Sequence, residues 1–267
     1  MNEFWIVAGL ALLPGFGNLA GGMVAEFGRT TPRLLNLALH AASGIVIGVV
    51  AIELIPEALN NIAGWWIALA FASGGLLYVG AEAMIDRIAV GKGRGSSAMW
   101  MIYVAVAVDL SGDGLMIGSG SAVATSLAIV LAAGQVLADF PEGYSVVASL
   151  RENKVPRRLR IAVSMSFPLY CLGMAIVAWF LLRSAPEEIK YVALSAIAGL
   201  LSVAAVEEML KEAHDAKADS RTSALSFVAG FTLFALVSAG LATALGTERN
   251  LEQSSTSPRG VQQTENS

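Results

Sequence analysis

The chain has 267 residues, of which 55% are hydrophobic and only 14% charged, with a mean hydropathy of +0.65. Soluble domains carry about 25% charged residues, so a soluble fold is excluded. A net charge of −4, with no basic stripe interleaved with aromatics, also removes any case for nucleic-acid binding.

Apolar runs bounded by charges or glycines fall at about 4–26, 35–58, 63–85, 98–119, 122–149, 161–182, 190–211 and 223–245. Each is close to the roughly 20 residues that a helix needs to cross the hydrocarbon layer. The pattern predicts an all-α integral membrane protein, with eight transmembrane helices in one domain over 1–245. Met1-Asn2-Glu3-Phe4 lacks the basic region and cleavage pattern of a secretory signal, so the first run is expected to be a retained span. The polar, aperiodic tail 246–267 is expected to be disordered. The single cysteine, Cys171, lies in an apolar run and leaves no room for disulfides or a thiolate cluster.

Basic residues near span ends stay on the cytoplasmic side. Thirteen of the 17 lie between spans 1 and 2, 3 and 4, 5 and 6, or 7 and 8, or at the ends of the last pair; Arg183, Lys190, Arg249 and Arg259 lie on the other side. Both termini are therefore expected outside a cell (inner or plasma) membrane. Two internal similarities suggest inverted repeats, whose interface holds the substrate site in many transporters. Gly44 to Ala58 (GIVIGVVAIELIPEA) aligns without a gap on Gly199 to Ala213 (GLLSVAAVEEMLKEA), superposing Glu53 on Glu208 and Glu57 on Glu212. Asp109-Leu-Ser-Gly-Asp-Gly114 of span 4 likewise aligns on Ala138-Asp-Phe-Pro-Glu-Gly143 of span 5. With spans 1 to 3 mirrored by 6 to 8 around this central pair, an inverted 3+2+3 arrangement is expected.

The chemistry is concentrated in that pair. An ionisable group in hydrocarbon costs about 2.5–3.5 kcal/mol on insertion scales, so Asp109, Asp113, Asp139 and Glu142 together would cost on the order of 10 kcal/mol without compensation. No Lys or Arg lies within either span, which leaves cations, protons and water as partners. Helical spacing puts Asp109, Asp113 and Met116 on one face, and Gln135, Asp139 and Glu142 on one face of the next helix. Pro141 frees a backbone carbonyl one turn earlier, and Gly112, Gly114 and Gly143 permit close helix approach.

On these residues the sequence resembles the ZIP (Zrt/Irt-like) family of divalent metal transporters, over nearly the whole chain. The family's fourth helix carries His-Asn-x-x-Asp/Glu-Gly, against Asp109-Leu110-Ser111-Gly112-Asp113-Gly114 here. Its fifth carries His/Gln-Asn/Asp-x-Pro-Glu-Gly, against Ala138-Asp139-Phe140-Pro141-Glu142-Gly143. Span 2, ending AIELIPEAL, is also similar to the family's second helix. The chain departs from the pattern at Asp109, Leu110 and Ala138, at Ser166-Phe167-Pro168 in span 6, and in lacking a histidine-rich loop between Asp86 and Trp100. The resemblance implies transport of a divalent ion (zinc, iron(II) or manganese) by alternating access, as cargo and with no cofactor. The ligand set would be Asp109, Asp113, Asp139 and Glu142, with Gln135 as a neutral addition. Oxygen donors suit harder ions, so a shift from zinc toward manganese or iron(II) is expected. The expected partners are divalent ions, protons, the lipid bilayer and, as a homodimer, a second copy of the chain.

Glu208, Glu212 and His214 form a weaker candidate exit site, and Glu53 and Glu57 a candidate collector of cations. His40 and Met116 read as packing residues. No enzyme is expected: Leu110-Ser111-Gly112-Asp113 only faintly resembles the Gly-x-Gly-Asp element of intramembrane aspartyl proteases, and no His-Glu-x-x-His motif is present. The other open alternative is a non-transporting relative that binds metal or regulates a partner.

Overall fold

The structure is a computed structural model that describes residues 2–28, 31–89, 96–210 and 220–256. Among the described residues it contains eight helices and no strand. These are α1 (Asn2–Phe27), α2 (Pro32–Leu59), α3 (Gly64–Ala89), α4 (Ser96–Val123), α5 (Thr125–Glu152), α6 (Arg157–Leu182), α7 (Glu187–Ala204, continued by Ala205–Leu210) and α8 (Ser220–Thr256).

Local chemistry sets the boundaries. Thr31 is extended, and its hydroxyl accepts the Leu34 N–H at 3.4 Å, while Pro32, which has no N–H to leave unsatisfied, opens α2. Pro156 and Pro186 hold the backbone extended immediately before α6 and α7. α4 and α5 are separated by Ala124 alone, which is extended at φ −155° and ψ 138°. The two acidic helices therefore fold back on each other and pack together. α8 runs to Thr256, past the expected end at 245, because Glu248, Arg249, Leu251, Glu252 and Gln253 are good helix formers; residues 257–267 lie outside the described residues.

Six helices, α1, α2, α3, α6, α7 and α8, are long and apolar enough to cross a bilayer. The chain is an integral membrane protein. α4 and α5, which carry the acidic residues, are not among the six. Large side chains such as Leu76, Leu181 and Leu236 are exposed on the outer helices, where lipid would cover them.

Helix pairing follows a repeated scheme. α1 lies mainly on α5 and α6, α4 on α6 and α5, α2 on α8, and α3 on α7. Gly44 of α2 abuts the Phe227 carbonyl of α8, as Gly199 of α7 abuts the Phe71 carbonyl of α3. Gly230 of α8 likewise abuts the Ala41 carbonyl, as Gly74 of α3 abuts that of Ala196. Nearer the centre, Gly143 of α5 meets the Asn18 carbonyl of α1, and Gly114 of α4 meets the Cys171 carbonyl of α6. At each crossing a side chain would strike backbone, so glycine is what allows the helices to approach. α2 and α7 also share a deviation: each widens into a π-helical segment, Val49–Leu54 in one and Ala205–Leu210 in the other. These segments contain Glu53 and Glu208, the residues that the sequence alignment superposes.

Candidate metal centre

α4 carries Asp109 and Asp113 one turn apart, and α5 carries Gln135, Asp139 and Glu142 on one face. All five side chains are buried, Asp113 and Asp139 completely. They also converge. Gln135 Nε2 donates to Asp113 Oδ1 across the α4–α5 interface. Asp109 and Glu142 are joined by a side-chain hydrogen bond, and Asp139 stands in the field of Asp109. Cys171 of α6 packs beside α4, where its Sγ donates to the Leu110 carbonyl at 3.1 Å.

A hydrogen bond between two carboxyl groups needs a proton on one of them. Without protons or a cation, four carboxylates in a low-dielectric interior repel one another and lose their hydration. Among the described residues, both oxygens of Asp139 and Oε1 of Gln135 have no hydrogen-bond partner, whereas buried polar atoms are normally bonded. Among the described residues, no three His, Cys, Asp or Glu side chains converge tightly enough to enclose a metal ion. The oxygens thus line a helix interface rather than forming a closed shell.

The other sequence candidates separate from this cluster. Met116 is fully buried within the apolar core with Ile117, Leu131 and Ala175. His40 Nδ1 bonds the Asn36 carbonyl at 2.8 Å within its own helix. Glu53 accepts a hydrogen bond from the Ser238 hydroxyl of α8. The Glu208 side chain, Glu212 and His214 lie outside the described residues, so the exit site they were expected to form has no structural description.

One buried polar residue packed against α5 was missed by sequence reasoning. Asn18 of α1 has 0% exposure, and among the described residues neither polar atom of its amide has a hydrogen-bond partner. Its only signal was being the single polar side chain in Leu13-Pro-Gly-Phe-Gly-Asn-Leu-Ala-Gly-Gly22.

Over 87 residues the chain is 33% identical to the zinc transporter ZupT of Lysinibacillus sphaericus (strain C3-41), a stretch that makes up 30% of this chain and 31% of that protein. The similarity therefore spans about a third of the transporter's length. No protein-family model matches the chain.

Proposed function

We propose that this chain carries divalent metal ions across a membrane through the carboxylate cluster between α4 and α5. The observation that carries the reading is the burial of Asp109, Asp113, Asp139 and Glu142 together on two helices whose central turns contain no Lys or Arg. Such a cluster is stable only when positive charge enters it, and a cation that can also leave is a transported one. The stretch of similarity to a zinc transporter supports the same class of cargo, as does the resemblance of Asp113-Gly114 and Asp139-x-Pro141-Glu142-Gly143 to ZIP motifs.

The mechanism proposed is alternating access across an inverted 3+2+3 arrangement of eight spans. The matched glycine crossings of α2–α8 and α7–α3, and of α5–α1 and α4–α6, support two equivalent halves around the central pair. An ion held between α4 and α5 is exposed to each side in turn as one helix group moves against the other, and protons neutralise the carboxylates on the return. Oxygen donors favour manganese or iron(II) over zinc within this class. Both termini face outward in this reading.

Uptake of radiolabelled zinc, manganese and iron(II) into proteoliposomes is the test. Flux is expected in the intact protein and is lost in both Glu142→Ala and Asp113→Ala. A second reading, a non-transporting relative that binds metal or regulates a partner, is favoured by one observation: Asp109 and Ala138 stand where the ZIP motifs carry histidine. Absence of flux in protein that still binds metal would establish that reading instead.

A further inference from the structure

Gly17 of α1 lies against the Val136 carbonyl and Gly21 against that of Phe140, so the contact advances by the same four residues on both helices. α1 and α5 therefore run parallel, with α1 walking along the turns of α5 that carry Asp139 and Glu142. Asn18 sits on this seam. Its Oδ1 lies 2.7 Å from the point that a Cβ on Gly143 would occupy, and the space it fills exists because residue 143 has no side chain. Asp139 is one turn before Gly143 on the same face of α5, so the Asn18 amide and the Asp139 carboxylate share one side of that helix. Cβ bonds tilt toward a helix N-terminus, which in two parallel helices directs the Asn18 side chain back toward the turn of Asp139.

The atoms on this side share a chemical deficiency. Asn18 Oδ1 and Nδ2 and both Asp139 oxygens are buried without hydrogen-bond partners among the described residues. The position equivalent to Asn18 at the α4–α6 crossing is Cys171, and its thiol is already satisfied by the Leu110 carbonyl at 3.1 Å. The unmet demand therefore lies on the α1 side of the cluster. An amide suits it, because its oxygen can face a cation while its NH2 donates to a carboxylate on the same ion. Resting on the transport reading above, we infer that Asn18 supplies a neutral oxygen ligand to the divalent ion held at Asp139 and Glu142. α1 is then a third wall of the site, and the coordination sphere spans α1, α4 and α5.

The test uses purified full-length protein in detergent, with Mn2+ alone and Zn2+ alone as probes, reading binding affinity and melting temperature with and without metal. Asn18→Leu is expected to weaken Mn2+ binding by at least about tenfold while leaving the metal-free melting temperature unchanged or raised, since it removes two unpartnered buried polar atoms. Asn18→Asp, which keeps the oxygen, is expected to restore binding. Asp139→Asn provides the reference. If Asp139→Asn weakens binding and Asn18→Leu does not, the inference fails and the transport reading stands. A metal-free melting temperature lowered by Asn18→Leu, with the metal-induced rise intact, would make Asn18 structural and overturn the inference. An intact protein that binds neither metal overturns both.

Discussion

Asp109 is the position at which the ion preference proposed for the cluster can be tested most directly. It is 4% exposed and bonded to Glu142, so an imidazole placed there enters the same group of donors and adds the nitrogen that zinc prefers. Asp109→His is expected to move the zinc-to-manganese uptake ratio toward zinc by about tenfold, measured with both ions competing in one proteoliposome preparation. An unchanged ratio would remove Asp109 from the ligand set. The carboxylates could be read from sequence because a charge in an apolar run is costly and conspicuous. Asn18 could not, because a lone neutral amide in a helix usually finds a partner, and only the fold shows it against Gly143 with none among the described residues. Gln135 is intermediate: its helical spacing suggested the site, while its donation to Asp113 became visible only in the fold.

At the scale of the helices, the site depends on backbone proximity. A Cβ on Gly143 would overlap the Asn18 carbonyl, and one on Gly114 the Cys171 carbonyl, whereas nothing lies within 4 Å of the corresponding point at Gly173. Overpacking of this kind costs about 1–3 kcal/mol, while relieving glycine of its entropy in an open helical position gains roughly 0.5–1 kcal/mol. Gly143→Ala is therefore expected to lower the melting temperature in detergent and to impair metal binding, and Gly173→Ala to leave both unchanged or raise the first. Equal melting temperatures for the two variants would mean that α1 and α5 are not held at contact distance. The helices themselves were legible from apolar run length, whereas the break between α4 and α5 falls at Ala124, inside the run expected from 122. The π-helical segments were not, because they depend on contacts between helices. Ser43 of α2, for example, donates its hydroxyl to the Ala205 carbonyl of α7 at 3.2 Å, at the start of one of them.

Across the whole molecule the two ends differ in chemistry. At one end Arg160 grips Glu26 through two bonds of 2.8 and 2.6 Å, Arg157 adds a third contact at 3.2 Å, and Arg151 donates to the Ala25 and Gly28 carbonyls. This ties the end of α1 to α5 and α6. At the other end Phe4 of α1 meets Trp179 of α6 with ring centroids 5.8 Å apart, and Trp5, Trp65 and Trp66 stand exposed at the starts of α1 and α3. Amphipathic rings of this kind collect at membrane–water interfaces, whereas arginines are retained on the cytoplasmic side. In the orientation proposed above, the end that holds Arg151, Arg157 and Arg160 faces inward and the tryptophan end outward. Cys171 has 0% exposure, so the native thiol gives little background to a membrane-impermeant maleimide. Asn153→Cys, in the exposed turn between α5 and α6, is expected to label only after the membrane is opened. Ser184→Cys, in the exposed turn between α6 and α7, is expected to label in sealed cells. The reverse pattern would invert the orientation and exchange the entry and exit sides of the proposed pathway; labelling of both in sealed cells would mean that α6 does not cross the membrane.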